Sequence, residues 1–466
     1  MRARMRERLA RARAALRPSE DNLLPRSLTF NLLGNVSNLA LGFVGSVALA
    51  RLLGPADRGL LALMLALSGI AVALGAVGQP VAVAYFASQK NADQRAILGN
   101  TTVHALVLAV VLVPLTFAFH VPIADAFGRG HGGLTWTLAA ALAPVTFLGW
   151  TAGNQLVGML RFGLFNGLGV ASVVAETVAI FVLVWALHLG VAGGILAMGL
   201  SSSVMIAGSV RPSLGRLRPR LDGALERRML KYGWRVQIGV IFQAVNYRLD
   251  VVIVQLFRPL SQVGYYVIAQ TIAELVTTVA TSFQASLLPL SSHYEGDTRQ
   301  ARVTVSALHH HAILAGAAAL GNVVFGSAVI LFIYGPEFHP AVVPMLILLP
   351  GIWFLGLGSV IQSDLAGRGR PGLSSKMAAL AAGATVILDF ALIPPFGVIG
   401  AAVASVAAYT CYGVTSVIAL SRVSGIGPRE LVVPTRQDFM VYKRFFAQAL
   451  TRRRASSPVA DDHGTT

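Results

Sequence analysis

At 466 residues, with 55% apolar and only 12% charged side chains, this chain is too apolar for a soluble protein. A soluble domain needs roughly a quarter of its residues charged to keep its surface wet. The net charge of +17 invites a nucleic-acid partner, but the basic residues sit in loops between apolar blocks, which argues against one. The single cysteine, Cys411, excludes an intramolecular disulfide and, inside an apolar block, reads as packing.

The chain opens with MRARMRERLARARAALRPSED, too charged for the apolar region of a cleavable signal peptide. Residues 1–25 read as a basic amphipathic segment on the cytoplasmic lipid surface. Glu7, Glu20 and Asp21 speak against a mitochondrial presequence. The first apolar block, from about Ser27, serves as a retained anchor.

Many of the blocks that follow reach the roughly 20 residues a helix needs to cross a bilayer. They predict an all-α integral membrane protein of twelve spans, near 28–50, 59–88, 97–120, 133–158, 163–187, 190–210, 232–256, 263–290, 303–333, 339–362, 373–393 and 398–420. An N-lobe (26–211) and a C-lobe (232–421) of six spans each are expected, joined by a basic cytoplasmic linker (212–231). A partly disordered cytoplasmic tail (422–466) follows. Of the 37 Lys and Arg, 32 fall in segments that this topology places inside, counting Arg235 and Lys376 at the inner ends of spans 7 and 11. Only Arg51, Arg58, Arg129 and Arg258 fall outside, and Arg248 lies within span 7. The bias of basic loops towards the cytoplasm therefore places both termini there.

The two halves repeat each other. At a constant offset of 209, Leu156, Gly158, Arg161, Gly163 and Leu164 coincide with Leu365, Gly367, Arg370, Gly372 and Leu373. Six spans per repeat give both lobes the same orientation, so the repeat is parallel and encloses a central cleft. Two such bundles can rock about the cleft to give alternating access.

Short motifs point the same way. ARLLGPADRGL (Ala50–Leu60), NYRLD (Asn246–Asp250), VGYYVIA (Val263–Ala269), LPLS (Leu288–Ser291) and YGPEF (Tyr334–Phe338) stand in order along the chain. Residues 25–425 thereby resemble the multidrug/oligosaccharidyl-lipid/polysaccharide exporter superfamily, and its O-antigen and capsule flippase branch in particular. The resemblance implies a flippase moving a polyprenyl-diphosphate-linked oligosaccharide across the cytoplasmic membrane of a bacterium for polysaccharide biosynthesis. It implies no covalent chemistry, no cofactor and no ATP use, and the sequence holds no GxxxxGK[ST] loop. One departure is plain: a single Arg, Arg248, lies deep inside the spans, where relatives often carry several cations.

Ionisable groups at membrane depth cost about 2.5–3.5 kcal/mol each on insertion scales, which marks them as functional candidates. Arg248 in span 7 and Glu274 in span 8 both lie roughly 12–17 Å below the outer surface at about 1.5 Å per residue. Gln243, Asn246 and Asp250 share one stripe of span 7; Gln270, Glu274, Thr277 and Thr281 share one of span 8. Both stripes are expected to face the cleft. Arg248 would contact the diphosphate, because guanidinium offers phosphate a planar fork of donors, and Glu274 would hold it in place. The competing reading is a buried Arg–Glu pair that only glues two helices. Asn31, Asn35 and Asn38 share a face of span 1, and Asn35 and Asn38 join the substrate set.

Glu176, in span 5 with no basic residue at its depth, is a candidate for proton coupling, as is Glu274; a protonated side chain bonding a neighbouring helix is the alternative. Asn154 and Gln155 correspond to Ser363 and Asp364 in the second repeat, lining an inner gate or capping a helix. Asp389 is expected at the water-accessible outer end of span 11. His309, His310 and His311 point about 100° apart on a helix, a poor ligand set for a metal. No catalytic constellation is evident, so the chain does not read as an enzyme. The partners expected are the lipid-linked oligosaccharide, membrane lipids, and a polysaccharide polymerase or glycosyltransferases. A cation-coupled drug exporter on the same fold, and a scaffold that recruits glycosyltransferases without transport, remain open alternatives.

Overall fold

The computed structural model describes residues 20–440 apart from 90, 129, 215–217, 294–297 and 369. The basic segment before Glu20 and the tail beyond Met440 lie outside the described residues. Helices and turns make up all of the described chain, with no strand.

Nine described segments are long and apolar enough to cross a membrane. The first of them belongs to α1 (Glu20–Gly75), which is two helices joined at Gly54. Gly54 adopts φ 72°, a backbone conformation that glycine takes without steric cost, and Pro55 restarts the helix with its fixed φ. The expected turn between spans 1 and 2 is thus a single-residue break. Short α2 (Gln79–Ala87) follows, then α3 (Gln94–Ala118), which Asp93 caps through the N–H groups of Arg95 and Ala96. Next come α4 (His120–Gly128), α5 (Thr135–Gly158), α6 (Phe162–Ala179) and α7 (Gly190–Leu214).

The second half holds α8 (Gly223–Phe257), α9 (Leu260–Ala273), α10 (Thr277–His293), α11 (Thr298–Ala328), α12 (Val342–Gly367), α13 (Pro371–Phe396), α14 (Val398–Ser424) and α15 (Pro428–Val432). α5 and α8 also have spanning length but fall outside the nine apolar segments. The twelve expected spans are thus consistent with the helices, although 59–88 is broken between Gly75 and Gln79 and 263–290 is interrupted by the turn Glu274–Val276. α8 begins nine residues before the expected boundary of 232 because Asp222 caps it, accepting from the Leu225 N–H at 3.0 Å. That hydrogen bond holds the Asp222 carboxyl below the usual carboxylate range.

π-helical turns at Ile180–Ala186 and Val329–Tyr334 and a 3-10 turn at Glu274–Val276 interrupt the helices, and a further 3-10 turn, Pro336–Ala341, leads into α12. Mid-helix irregularities of this kind often mark functional positions. Periodicity did not foretell them, since each keeps the apolar character of the helix around it.

The chain divides into two compact units. The first holds the described residues up to Ile268 together with Val329–Ala341 and Asp389–Ala401. Its core includes Val72, Ala76, Ala105, Ala143 and Phe147, and a second cluster around Val83, Phe86, Ile97 and Met229. Glycines allow its backbones to touch: a Cβ on Gly59 would collide with the Leu260 carbonyl, and one on Gly264 with that of Pro55. Two of the motifs that carry the family resemblance, Ala50–Leu60 and Val263–Ala269, therefore meet each other. The second unit holds Ala269–Ala328, Val342–Leu388 and the chain from Ala402 on. Leu287, Leu308, Leu357, Ile361 and Leu420 form its core, and Leu431 of α15 inserts among them. The start of the tail is thus docked structure.

Candidate functional site

In the first unit, α8 carries Arg248 as an exposed side chain. It lies along Gly69 of α1, where an added Cβ would stand 2.8 Å from the Arg248 Nε. A glycine at 69 thus makes room for the guanidinium beside the helix. The side chains of Gln243, Asn246 and Asn35, and that of Asn31, lie outside the described residues. Asn38 is half-buried, and its carboxamide lies 3.2 Å from where a Cβ on Gly169 of α6 would stand.

Asp250 departs from the expectation that its stripe lines an open cleft. It is 1% exposed, with Oδ2 accepting from the Tyr266 hydroxyl at 2.5 Å and Oδ1 from the Val251 N–H at 2.7 Å. The α8–α9 connection folds Tyr266 back onto α8, so the carboxylate is enclosed by its own hairpin. Asp389 is also corrected. It is fully buried rather than wetted, both of its oxygens lack a hydrogen-bond partner, and it is close enough to Asp250 for their charges to interact. Hydropathy placed Asp389 near a helix end but carried no sign that α13 is covered there.

Glu176 is half-buried on α6 and hydrogen-bonds Ser201 of α7. The π-helical turn at Ile180–Ala186 begins four residues later.

In the second unit, Gln270 and Glu274 are half-buried, and Glu274 opens the 3-10 turn that divides α9 from α10. The Thr277 hydroxyl donates to the Glu274 carbonyl at 2.6 Å, which satisfies a backbone group at the break. Arg248 and Glu274 belong to different units.

Of the residues read as gate or cap, Gln155 and Asp364 are tethers, whereas Asn154 bonds the Trp150 carbonyl of its own helix. Buried Gln155 donates through Nε2 to the Gln94 carbonyl at 2.8 Å, tying the end of α5 to the start of α3. Its repeat counterpart Asp364 accepts from Thr304 at 2.8 Å and from the Arg368 Nε at 2.5 Å, tying α12 to α11. The same position does the same mechanical work in both repeats.

The three histidines part company. His309 Nδ1 lies 2.9 Å from the Asp438 carboxylate, and its Nε2 lies 2.9 Å from the Glu430 carbonyl, which pins the start of the tail to α11. His311 faces the Trp353 carbonyl of α12 at 3.5 Å. The sequence signal for this clamp, the pair His309 and Asp438, is visible only once the tail is docked.

This arrangement is similar to that of solved transporters. An inward-facing multidrug-resistance transporter of the MATE family in the MOP superfamily superposes with a TM-score of 0.70 at 13% identity, covering 83% of this chain and 95% of that one. The lipid II flippase MurJ in an inward closed conformation gives 0.70 at 16% identity, covering 90% and 93%. These likenesses show the fold. Among sequences, the probable low-salt glycan biosynthesis flippase Agl15 of Haloferax volcanii is 24% identical over 395 residues, 82% of this chain and 80% of the relative. An uncharacterized membrane protein of Methanocaldococcus jannaschii is 27% identical over 209 residues, so the match spans 44% of this chain and only 41% of that relative. Residues 48–343 match the model of the family described as "Polysaccharide biosynthesis protein", well over half of the chain. The chain is a multi-pass membrane protein that belongs to this polysaccharide biosynthesis family and carries the fold of the exporter superfamily its motifs resemble.

Proposed function

We propose that the protein is an alternating-access flippase that carries a polyprenyl-diphosphate-linked oligosaccharide from the cytoplasmic to the outer leaflet of a bacterial cytoplasmic membrane. The observation that carries this reading is Arg248, an exposed guanidinium on α8 within the expected span 7, given room by Gly69. A cation at membrane depth persists where it serves an anionic cargo, and guanidinium binds phosphate oxygens in pairs. Family membership and the relatives named as flippases support a glycan cargo. The sugar would cross in the polar cleft while the lipid chain stays in the bilayer. No bond is made or broken, and no cofactor takes part. The skew of basic loops supports cytoplasmic termini, and a polymerase or glycosyltransferases would use the flipped product.

The buried carboxylates suit cation coupling. Asp389 is fully buried with neither oxygen hydrogen-bonded and lies within charge-interaction distance of buried Asp250, and a buried carboxylate without donors calls for a proton or a small cation. Asp389 is a better coupling site than Glu176, whose carboxylate already bonds Ser201. Asp389 also gives the second reading its support, since a cation-coupled drug exporter of this fold would use it equally. A deletion strain separates the two. Lipid-linked oligosaccharide trapped on the inner leaflet, with loss of surface polymer, supports the flippase. Normal polymer with raised drug susceptibility supports the exporter.

A further inference from the structure

A groove of about 490 Å³ opens along α1. Phe43, Val47 and Arg51 recur at i, i+4 and i+8 and form one wall. Phe181 and Trp185 from the π-helical turn after α6 form another, and Ile333 closes one end. Its volume lies within the range of ligand-binding clefts. Phe181 and Trp185 are 45% and 61% exposed, so the groove is open at the protein surface within a spanning segment.

Arg51 is the one charged residue in the lining. Its Nε–H donates to the Ile333 carbonyl and one Nη2–H to the Phe332 carbonyl, each at 2.7 Å. Both carbonyls belong to the π-helical turn Val329–Tyr334, which holds the guanidinium at the mouth of the groove. Two of the five N–H donors of arginine are thereby used, and three stay available. Among the described residues no carboxylate lies within ion-pair distance of Arg51. An apolar groove with one uncompensated cation at its mouth is complementary to a molecule with one long apolar chain and an anionic head. Phosphate fits a guanidinium fork best.

We propose that this groove binds a polyprenyl phosphate lipid, with the phosphate on Arg51 and the first isoprene units between α1 and the Phe181–Trp185 turn. A polyprenyl lipid brings a single chain to a single groove, whereas a glycerophospholipid brings two. The lipid's identity rests on the flippase reading, and the orientation proposed there puts Arg51 at the outer leaflet, where flipped lipid arrives. The lining does not include Arg248, so this is a second phosphate contact on the path of the lipid.

The test uses full-length protein in phosphatidylcholine nanodiscs, with undecaprenyl phosphate as the probe and native mass spectrometry as the readout. Val47→Trp fills the groove and Arg51→Gln removes the charge. Each is expected to lower retained undecaprenyl phosphate about fivefold or more, roughly 1 kcal/mol, while an equal concentration of phosphatidylglycerol fails to displace it from the wild type. Unchanged retention in both variants overturns the proposal, as does equal displacement by phosphatidylglycerol, which makes the occupant bulk lipid. If Val47→Trp does not fold, Arg51→Gln decides alone, because that side chain is exposed. Failure of the flippase reading looks different: surface polysaccharide is normal in the deletion strain while groove-dependent retention persists, which supports the site.

Discussion

The Tyr266 hydroxyl donates a 2.5 Å hydrogen bond to Asp250 Oδ2, closing a carboxylate of α8 beneath the following helix. Losing that donor leaves a buried acceptor unsatisfied, which costs about 1–3 kcal/mol. Tyr266→Phe is therefore expected to lower the detergent melting temperature. Asp389→Asn, which removes charge from the same region, is expected to raise it or leave it unchanged. If Tyr266→Phe melts like the wild type, the hydrogen bond is not holding the hairpin.

The close approach of Gly59 to Leu260 and of Gly264 to Pro55 leaves no space for a side chain, and in each case the obstacle is backbone. Overpacking of this kind typically costs about 1–3 kcal/mol, and rigid backbone leaves little means of relief. Gly59→Ala and Gly264→Ala should each reduce the amount of folded protein in the membrane. Gly42→Ala, with nothing within 4 Å of the added methyl, is the matched control and should be neutral. Fluorescence-detected size-exclusion profiles of the three variants check this directly.

Asp364 and Gln155 hold equivalent positions, but their removal should not cost the same. Asp364→Ala strands Arg368, and breaking a buried ion pair costs about 3–5 kcal/mol. Gln155→Ala removes neutral hydrogen bonds worth about 0.5–1.5 kcal/mol each. A double mutant of Asp364→Ala with Arg368→Met should recover part of the loss, read by thermal unfolding. Equal effects at 155 and 364 would contradict the ion-pair account.

The first part of the tail carries a pH dependence outside the membrane. Burial acts to raise the Asp438 carboxyl, but hydrogen bonds from the Thr435 hydroxyl and N–H and from His309 outweigh it and hold the carboxyl below its ordinary value. A lowered value means that docking gains stability above the ordinary carboxylate range and loses it as pH falls through the docked value. Hydrogen exchange across residues 425–440 should therefore speed up on acidification. Asp438→Asn should show fast exchange already at neutral pH and little further change.

Much of the fold was legible because apolar blocks long enough to cross a bilayer have few alternatives, and the expected spans overlap the observed helices. The offset of 209 also carried through to mechanics, since Gln155 and Asp364 tether equivalent helices. The site was less legible. Asp250 shared a stripe with Gln243 and Asn246, yet a helical wheel does not reveal that Tyr266, sixteen residues on, covers it. Asp389 misled for the reverse reason: a helix end looks wet until another element is packed over it. The groove at Arg51 depends on a π-helical turn, which leaves no mark in apolar periodicity.

The measurement that bears most directly on the central claim is complementation of the deletion strain with Arg248→Ala and Arg248→Lys, scoring surface polysaccharide and the leaflet of the lipid-linked oligosaccharide. Arg248→Ala is predicted to be made at wild-type level yet to leave the intermediate on the inner leaflet with little surface polymer. Arg248→Lys, keeping charge but losing the planar fork, should restore part of the transport. Full polymer and an outer-leaflet intermediate with both variants would contradict a diphosphate contact at Arg248.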